Sequence, residues 1–334
     1  MIKIIKPGLL STIQDQGRYG LQKYGVITSG AMDVFSHRMA NILIGNEDNV
    51  PTIEMTLLGA VILFQEDSLI AICGGDFSPA INGYLSIPLW RPVLVKKGTV
   101  LHFRAAKQGC RAYLAVAGGF SVSQLMNSAS TYLRAKMGGF HGRALQAGDE
   151  IFFNPRSTLA EHIAEYLYAR LNHMPFAAAD WFISPYFIPS LGENPIIRVM
   201  EGRQYHLFTE ESKERLFNSF FYITTQSDRM GYRLHGYPLQ LKEHKEQLSE
   251  AVTFGTIQVP SDGNPIILLA DRQTTGGYPK IAQIASVDFP LIAQSKPGDR
   301  ILFKKISHEE AQRLYIERER ILLQLKKGIL HRFT

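Results

Sequence analysis

The chain has 334 residues, enough for two ordinary domains, and is 45% hydrophobic and 20% charged, the balance of a protein that buries a core. Its formal net charge of +6 comes from scattered lysines and arginines with no basic block to track phosphates, which argues against a nucleic-acid partner. No apolar stretch approaches the roughly 20 residues of a membrane helix, and the densest basic run, Arg313 to Lys327, is interleaved with glutamates like a solvated helix face.

In chain order, Met1 to Lys6 reads as a short strand ended by Pro7-Gly8, not as a secretion signal, so a cytoplasmic location is expected. Asp33 is placed to cap a helix that ends near Gly45, with Met39, Ile42 and Leu43 on its apolar side. Short β-type runs follow, among them Ala60 to Phe64 and Ala112 to Val116. Cys73 and Cys110 lie inside such runs and are expected to be buried free thiols. A second helix is predicted over Leu159 to Asn172, and then Pro175, Pro185, Pro189 and Pro195 mark a linker. A fresh strand opens at Ile196. A third helix starts near Thr209 and carries Leu216, Phe217 and Phe220. The last begins at Ser307, with Glu310 at capping-box spacing, and is expected to stop near Gly328. The expected division is 1–190, 191–306 and a helical tail, 307–334.

Strands do not alternate with helices, so a doubly wound sheet is excluded in favour of a mainly β fold with a few short helices. A weak repeat supports duplication. Lys97-Gly98-Thr99-Val100-Leu101-His102-Phe103, Ala147-Gly148-Asp149-Glu150-Ile151-Phe152-Phe153 and Pro297-Gly298-Asp299-Arg300-Ile301-Leu302-Phe303 each lead from a glycine turn into an alternating strand.

Standard catalytic signatures are missing. There is no Walker-type phosphate loop, no dinucleotide fingerprint, no metal-ligand histidine spacing and no Gly-x-Ser-x-Gly elbow. Four polar, glycine-containing segments stand out instead: Gln14 to Gly20 with Ser29 to Asp33; Gly74-Gly75-Asp76 with Asn82-Gly83; Gln226 to Arg233; and Ala270 to Lys280. The last follows the apolar run Pro265 to Leu269 and offers a carboxylate, a guanidinium, an amide, two hydroxyls, two glycines and an ammonium within eleven residues. Arginine and lysine there suit a carboxylate or phosphate, and glycines let backbone N–H groups approach a ligand. A hydrogen-bonded turn in which Asp271 pairs with Arg272 or caps the loop fits the same residues. For Asp228-Arg229 the plainer expectation is an internal ion pair, and Asp15 and Arg18 also suit mutual pairing. Glu54 sits in a strand-like run where a solvent-facing position is expected over a barrel interior.

These segments resemble the allophanate hydrolase subunit 2 family, also called the KipA or biotin-dependent carboxyltransferase family. The resemblance runs through Pro7 to Gly20, Ser29 to Asp33, Pro88-Leu89-Trp90-Arg91, Arg111 to Gly119, Arg134 with Gly138 to Arg143, Gln226 to Leu234, Gln258 to Gly263, Ala270 to Ile281 and Pro297 to Arg300. It covers most of the chain from Ile2 to about Phe303, and leaves out the basic helical tail. It implies two tandem cyclophilin-like β-barrel domains and a KipI-like B subunit as partner. Members occur in three settings. With a LamB-like A subunit they act as ATP-dependent 5-oxoprolinase; fused, they form the carboxyltransferase part of urea carboxylase; and a KipA-type protein antagonises an inhibitor of a sporulation kinase. The first setting is expected here, with ATP shared with partner subunits, magnesium left open and a small-molecule substrate. Ala135-Lys136-Met137-Gly138 is a poor match to a biotin-attachment lysine, so no covalent biotin is expected on this chain. Within that resemblance Arg272, Lys280 and Asp228 are the expected catalytic residues. Gln273, Thr274, Thr275, Gly276, Gly277 and Tyr278 are expected to bind substrate, while Arg229, Gln14, Asp15 and Arg18 line the same cleft or a subunit interface.

Overall fold

The structure, a computed structural model, describes residues 1–192, 194–243 and 247–333. The mainly β expectation holds. The chain forms two compact units, each assembled from separated stretches: residues 1–17, 33–189 and 320–334 make the first, and 18–32 with 190–319 the second. Residues 18–32 therefore belong to the second unit, although they precede most of the first in sequence.

The first unit holds two six-stranded sheets. In one, Ile2–Lys6 pairs with Val61–Phe64 and Glu150–Ile151. In the other, the long strand Gln108–Val116 lies between Ser68–Asp76 and Thr52–Thr56, and Leu10–Gln14 pairs on the far side of the latter. Side chains alternate across this second sheet, so its two faces feed two cores. Ile70, Ile72, Leu114 and Val116 join Ile2, Ile62 and Phe64 in one. Leu69, Ala71, Cys73 and Ala115 face helices in the other. Both cysteines are free and buried, as expected. Burial on both faces also overturns the exposed reading of Glu54: Thr52 to Met55 are all buried, and Glu54 is 2% exposed.

Helix α1 (Val34–Leu43) is capped by Asp33, which accepts from the Ser36 N–H at 3.0 Å. Helix α2 (Thr158–Tyr168) is capped by Ser157 and ends before the predicted Asn172, where the backbone turns left-handed at Asn172 and His173. Met39 and Leu43 of α1 and Ile163 and Leu167 of α2 pack on the helix-facing core.

The second unit is a closed seven-stranded barrel in the order Ile196–Glu201, Lys280–Ile284, Thr256–Gln258, Ile266–Leu268, Gly231–His235, Phe221–Ile223 and Arg300–Lys305. It closes by parallel pairing of the last strand with the first. Helix α3 (Glu210–Asn218) is capped by Thr209 and stops short of the exposed Phe220. A short helix, α4 (Phe289–Ala293), carried no clear sequence signal. Helix α5 (His308–Phe333) begins as predicted, with the Glu310 N–H donating to the Ser307 hydroxyl at 3.1 Å, but continues through Gly328. Its residues 308–319 belong to the second unit and 320–333 to the first. Ile329 and Phe333, which pack on the first unit's helical core, outweigh the weak helix propensity of one glycine.

The three repeated turns have one hydrogen-bonding scheme. Gly98, Gly148 and Gly298 donate to the carbonyls of Phe64, Ile4 and Ile223, at 2.7, 2.8 and 2.9 Å. Each of those residues donates in return to the carbonyl after the glycine, at 2.9, 2.8 and 2.9 Å. Asp149 and Asp299 each accept from the backbone three residues upstream. All three glycines have φ between 83° and 93°. The same device thus occurs twice in the first unit and once in the second.

Gly298 has φ 93° with open space where a Cβ would sit, whereas a Cβ on Gly118, at φ 84°, would lie 2.1 Å from the Asn154 carbonyl oxygen. Gly298→Ala is therefore expected to cost about 1 kcal/mol, and Gly118→Ala clearly more, because it adds a backbone clash. Urea titrations of the two variants should rank them in that order.

Candidate functional site

The strand Ile266–Leu268 delivers the fourth polar segment to one end of the barrel. There Asp271 is 5% exposed, and its carboxylate pairs with Arg229 and Ser29 and not with the expected Arg272. The Arg229 guanidinium donates to it twice, Nε to Oδ2 at 3.0 Å and Nη2 to Oδ1 at 3.2 Å, and the Ser29 hydroxyl donates to Oδ1 at 2.8 Å. Arg229 Nη2 also donates to the Gly30 carbonyl at 2.5 Å. The pair therefore fastens residues 18–32 to the loop after the strand. Fully buried Met32 completes the attachment in the barrel core. Asp228 serves a turn, accepting from the Met230 N–H at 2.7 Å.

Arg272 has a different environment. It is 8% exposed, and Nη1 donates to the Leu269 carbonyl at 3.2 Å, while buried Nε has no protein partner. Burial pulls its pKa below the usual arginine range, with Tyr19 and Asp271 opposing the shift. Gln273 and Thr275 beside it are exposed and Thr274 is half-buried.

Lys280 is neutralised. Its ammonium donates to Glu250 Oε2 at 2.9 Å, and Gln204 Nε2 donates to the same oxygen at 3.2 Å. These contacts, led by Lys280, hold the Glu250 carboxyl below its usual range. The lysine anchors a hairpin in which Glu250–Ala251 pairs with Thr275–Gly276. Gly276 is needed for close approach: a Cβ there would sit 2.9 Å from the buried, unpartnered Gln258 Oε1. Gly277, Tyr278 and Pro279 line a cleft of about 560 Å³ with the loop from Val259 to Gly263, residues 238–241 and Gln247. Asp262 is its one charged lining residue among those described, so the cleft suits a neutral, partly apolar group more than a phosphate.

The remaining predicted residues divide between the units. Arg18, 1% exposed, lies in the second, where its N–H donates to the Thr28 carbonyl at 2.7 Å. Gln14 and Asp15 lie in the first. Gln14 Nε2 donates to the Thr131 carbonyl at 3.1 Å. Asp15 accepts from the Gly17 and Ala129 N–H groups and from the Ser128 and Ser130 hydroxyls, which makes it a loop organiser. Nearby residues form a buried polar chain that single-residue reading missed. The Asp33 N–H donates to Tyr113 Oη at 2.8 Å, and Tyr113 donates to Glu54 Oε2 at 2.7 Å. Burial, Glu54 and Asp33 together push the Tyr113 phenol well up. His37, wholly buried with Nδ1 2.9 Å from the Thr52 hydroxyl, is lowered to about 4, chiefly by desolvation.

The carboxyltransferase domain family, subdomains A and B, matches residues 24–305. The chain belongs to this family. It is 38% identical over 327 residues to the C subunit of the Haemophilus influenzae 5-oxoprolinase, with 98% of both chains covered. To the C subunit of the Escherichia coli 5-oxoprolinase it is 34% identical over 328 residues, with 97% of both covered. It also superposes on the crystal structure of the Kluyveromyces lactis urea amidolyase with a TM-score of 0.86 at 29% identity, covering 97% of this chain and 20% of that one. The chain thus spans about a fifth of the urea amidolyase.

Within this family member, the fourth segment brings together Arg272, Gln273, Thr274 and Thr275, and sets Lys280 against Glu250. Asp271, Ser29 and Gly30 emerge as the scaffold. Asp271→Ala is expected to cost about 3 kcal/mol or more, because it leaves the buried Arg229 without its carboxylate. Arg272→Ala is expected to cost about 1 kcal/mol or less, because that guanidinium gains little from the protein. Chemical denaturation of both variants tests the contrast.

His37 supplies a pH test. The folded protein holds the imidazole neutral down to about pH 4, whereas the unfolded chain protonates near 6.5. The unfolded state therefore binds the extra proton as pH falls through this window. Stability should drop by up to roughly 3 kcal/mol between pH 6.5 and 4 from this group, with no further loss below. His37→Gln should flatten that part of a stability-versus-pH curve.

Proposed function

We propose that this chain is the C subunit of an ATP-dependent 5-oxoprolinase, working with a KipI-like B subunit and a LamB-like A subunit. The observation that carries this reading is the 38% identity to the Haemophilus influenzae protein across 98% of both chains. In this reading the complex opens 5-oxo-L-proline with ATP and water and releases L-glutamate, ADP and phosphate. It is a cytoplasmic enzyme, in the compartment that supplies the nucleotide. ATP is shared with partner subunits, and magnesium comes with the nucleotide.

The geometry supports a division of labour. An activated lactam oxygen, a phosphate and the substrate carboxylate all need cationic or N–H partners. Arg272 is the residue suited to that work, since its buried guanidinium is only partly satisfied by the protein. Gln273, Thr274 and Thr275 would orient the lactam beside it. Lys280, paired with Glu250, acts as a positioning residue for the hairpin, and Arg229 and Asp228 shape the loops behind it. Gly277 and Tyr278 line the cleft that suits a neutral group. A second reading, carboxyl transfer to a small amide, draws support from the TM-score of 0.86 with the Kluyveromyces lactis urea carboxylase, of which this chain covers 29%.

The test is glutamate formation from 5-oxoproline and ATP by the three mixed subunits, with each omitted in turn. Glutamate formed only by the full set is expected, and Arg272→Ala should lower the rate by at least about a hundredfold while the variant still assembles. Full activity of that variant would remove Arg272 from the site. An intact complex that makes no glutamate would favour carboxyl transfer.

A further inference from the structure

A second recess opens on the barrel beside the cleft described above, with which it shares Pro260 and Asp262. It has a volume of about 280 Å³ and is lined by Thr224 to Gln226, Arg233 to His235, Pro260, Asp262 and Asn264 to Ile266. Three adjacent staves build it. Gly231–His235 pairs with Phe221–Ile223 on one side and with Ile266–Leu268 on the other, so Arg233 stands opposite Ile266 and the Thr224 N–H donates to the Arg233 carbonyl at 2.9 Å. Arg233 and His235, two residues apart on one strand, are both exposed.

The charge pattern of this recess is unusual. Arg233 and Asp262 line the same small groove, yet they are not within ion-pair distance of one another, and among the described residues neither has another ionic partner. The Asp262 carboxylate is held in place by Asn264, whose N–H donates to Oδ1 at 3.1 Å. Two further groups on the lining, Thr224 Oγ1 and Asn264 Oδ1, are buried without a protein partner. The groove therefore presents a cation and an anion, with an unpartnered hydroxyl and amide oxygen buried in its wall. Its volume lies just below the roughly 300–1,000 Å³ of drug-sized sites, which suits a small metabolite.

We propose that this groove binds a small α-amino acid as its zwitterion, with the carboxylate on Arg233 and the ammonium on Asp262. A simple anion would leave Asp262 facing like charge, and a simple cation would leave Arg233 in the same position. Only a ligand carrying both charges a short distance apart satisfies the two together. Choosing L-glutamate as the first probe rests on the proposed function, because ring opening creates the ammonium that the lactam 5-oxoproline lacks. The groove would then hold product while rejecting substrate. Glycine serves as a probe independent of that reading.

Calorimetric titration of the full chain with L-glutamate, glycine, N-acetyl-L-glutamate and 5-oxo-L-proline tests this. L-glutamate or glycine should bind, and the two ligands without an ammonium should bind at least about tenfold more weakly. Arg233→Gln and Asp262→Asn should each weaken amino-acid binding by about tenfold or more. Should a variant fail to fold, the ammonium contrast on the wild-type chain still decides. Equal affinity for L-glutamate and N-acetyl-L-glutamate, binding that both folded variants leave unchanged, or no binding of either amino acid at millimolar concentration overturns the proposal. Amino-acid binding that meets these criteria supports the groove even when the three-subunit mixture makes no glutamate. Turnover without amino-acid binding removes the groove and leaves the proposed reaction intact.

Discussion

The arrangement of the second unit depends on one buried ion pair, Arg229 with Asp271. The barrel strands bring the loops 228–230 and 270–272 to one end, but strand pairing alone does not say what covers them. Asp271 accepts from both Arg229 and Ser29, and Arg229 reaches the Gly30 carbonyl, so three separate stretches of chain converge on two side chains. Replacing such a pair with apolar groups would often be as stable. Its value here is in specifying which segment lies over the loop. Because the carboxylate of Asp271 is committed to Arg229 and Ser29, it does little to neutralise the adjacent Arg272, and the one partly satisfied guanidinium of the segment is left beside exposed Gln273 and Thr275.

The same logic separates the other polar motifs from the candidate site. Asp15 is encircled by two hydroxyls and two backbone N–H groups, and Lys280 is balanced by Glu250 and supported through Gln204. A charged group whose hydrogen-bonding capacity is filled by the fold has little left for a ligand. Motif density in sequence therefore overstates the site. Most of these polar, glycine-rich segments are solutions to the problem of ending short strands and holding loops, and only a few of their side chains are left with capacity to spare.

Much of the architecture is legible from local signals. Asp33, Thr209 and the Ser307–Glu310 spacing each mark a helix start, because capping is a contact between near neighbours. The glycine turns at 98, 148 and 298 are legible for the same reason. The features that sequence reading misses depend on distant partners. Gly328 reads as a stop, but Ile329 and Phe333 have a core to enter. Glu54 reads as exposed by alternation, but its strand is buried on both faces and Tyr113 meets it from 59 residues away. Adjacent Arg272 is the obvious partner for Asp271 in sequence, whereas the true one, Arg229, is 42 residues distant. Glu250, which decides the role of Lys280, sits in no motif at all.

The fold's treatment of its arginines bears on function more directly than their sequence pattern does. Burying a guanidinium carries a desolvation cost that hydrogen bonds and a nearby carboxylate must offset. Arg229 meets this requirement with a bidentate carboxylate and a backbone carbonyl. Arg272 meets it with one carbonyl, and burial lowers its pKa accordingly. For packing alone, a leucine or methionine would serve that position at lower cost. An arginine left undercompensated beside exposed polar side chains is instead what an anionic ligand requires: a cation whose binding capacity is held open by the protein and whose orientation is already fixed.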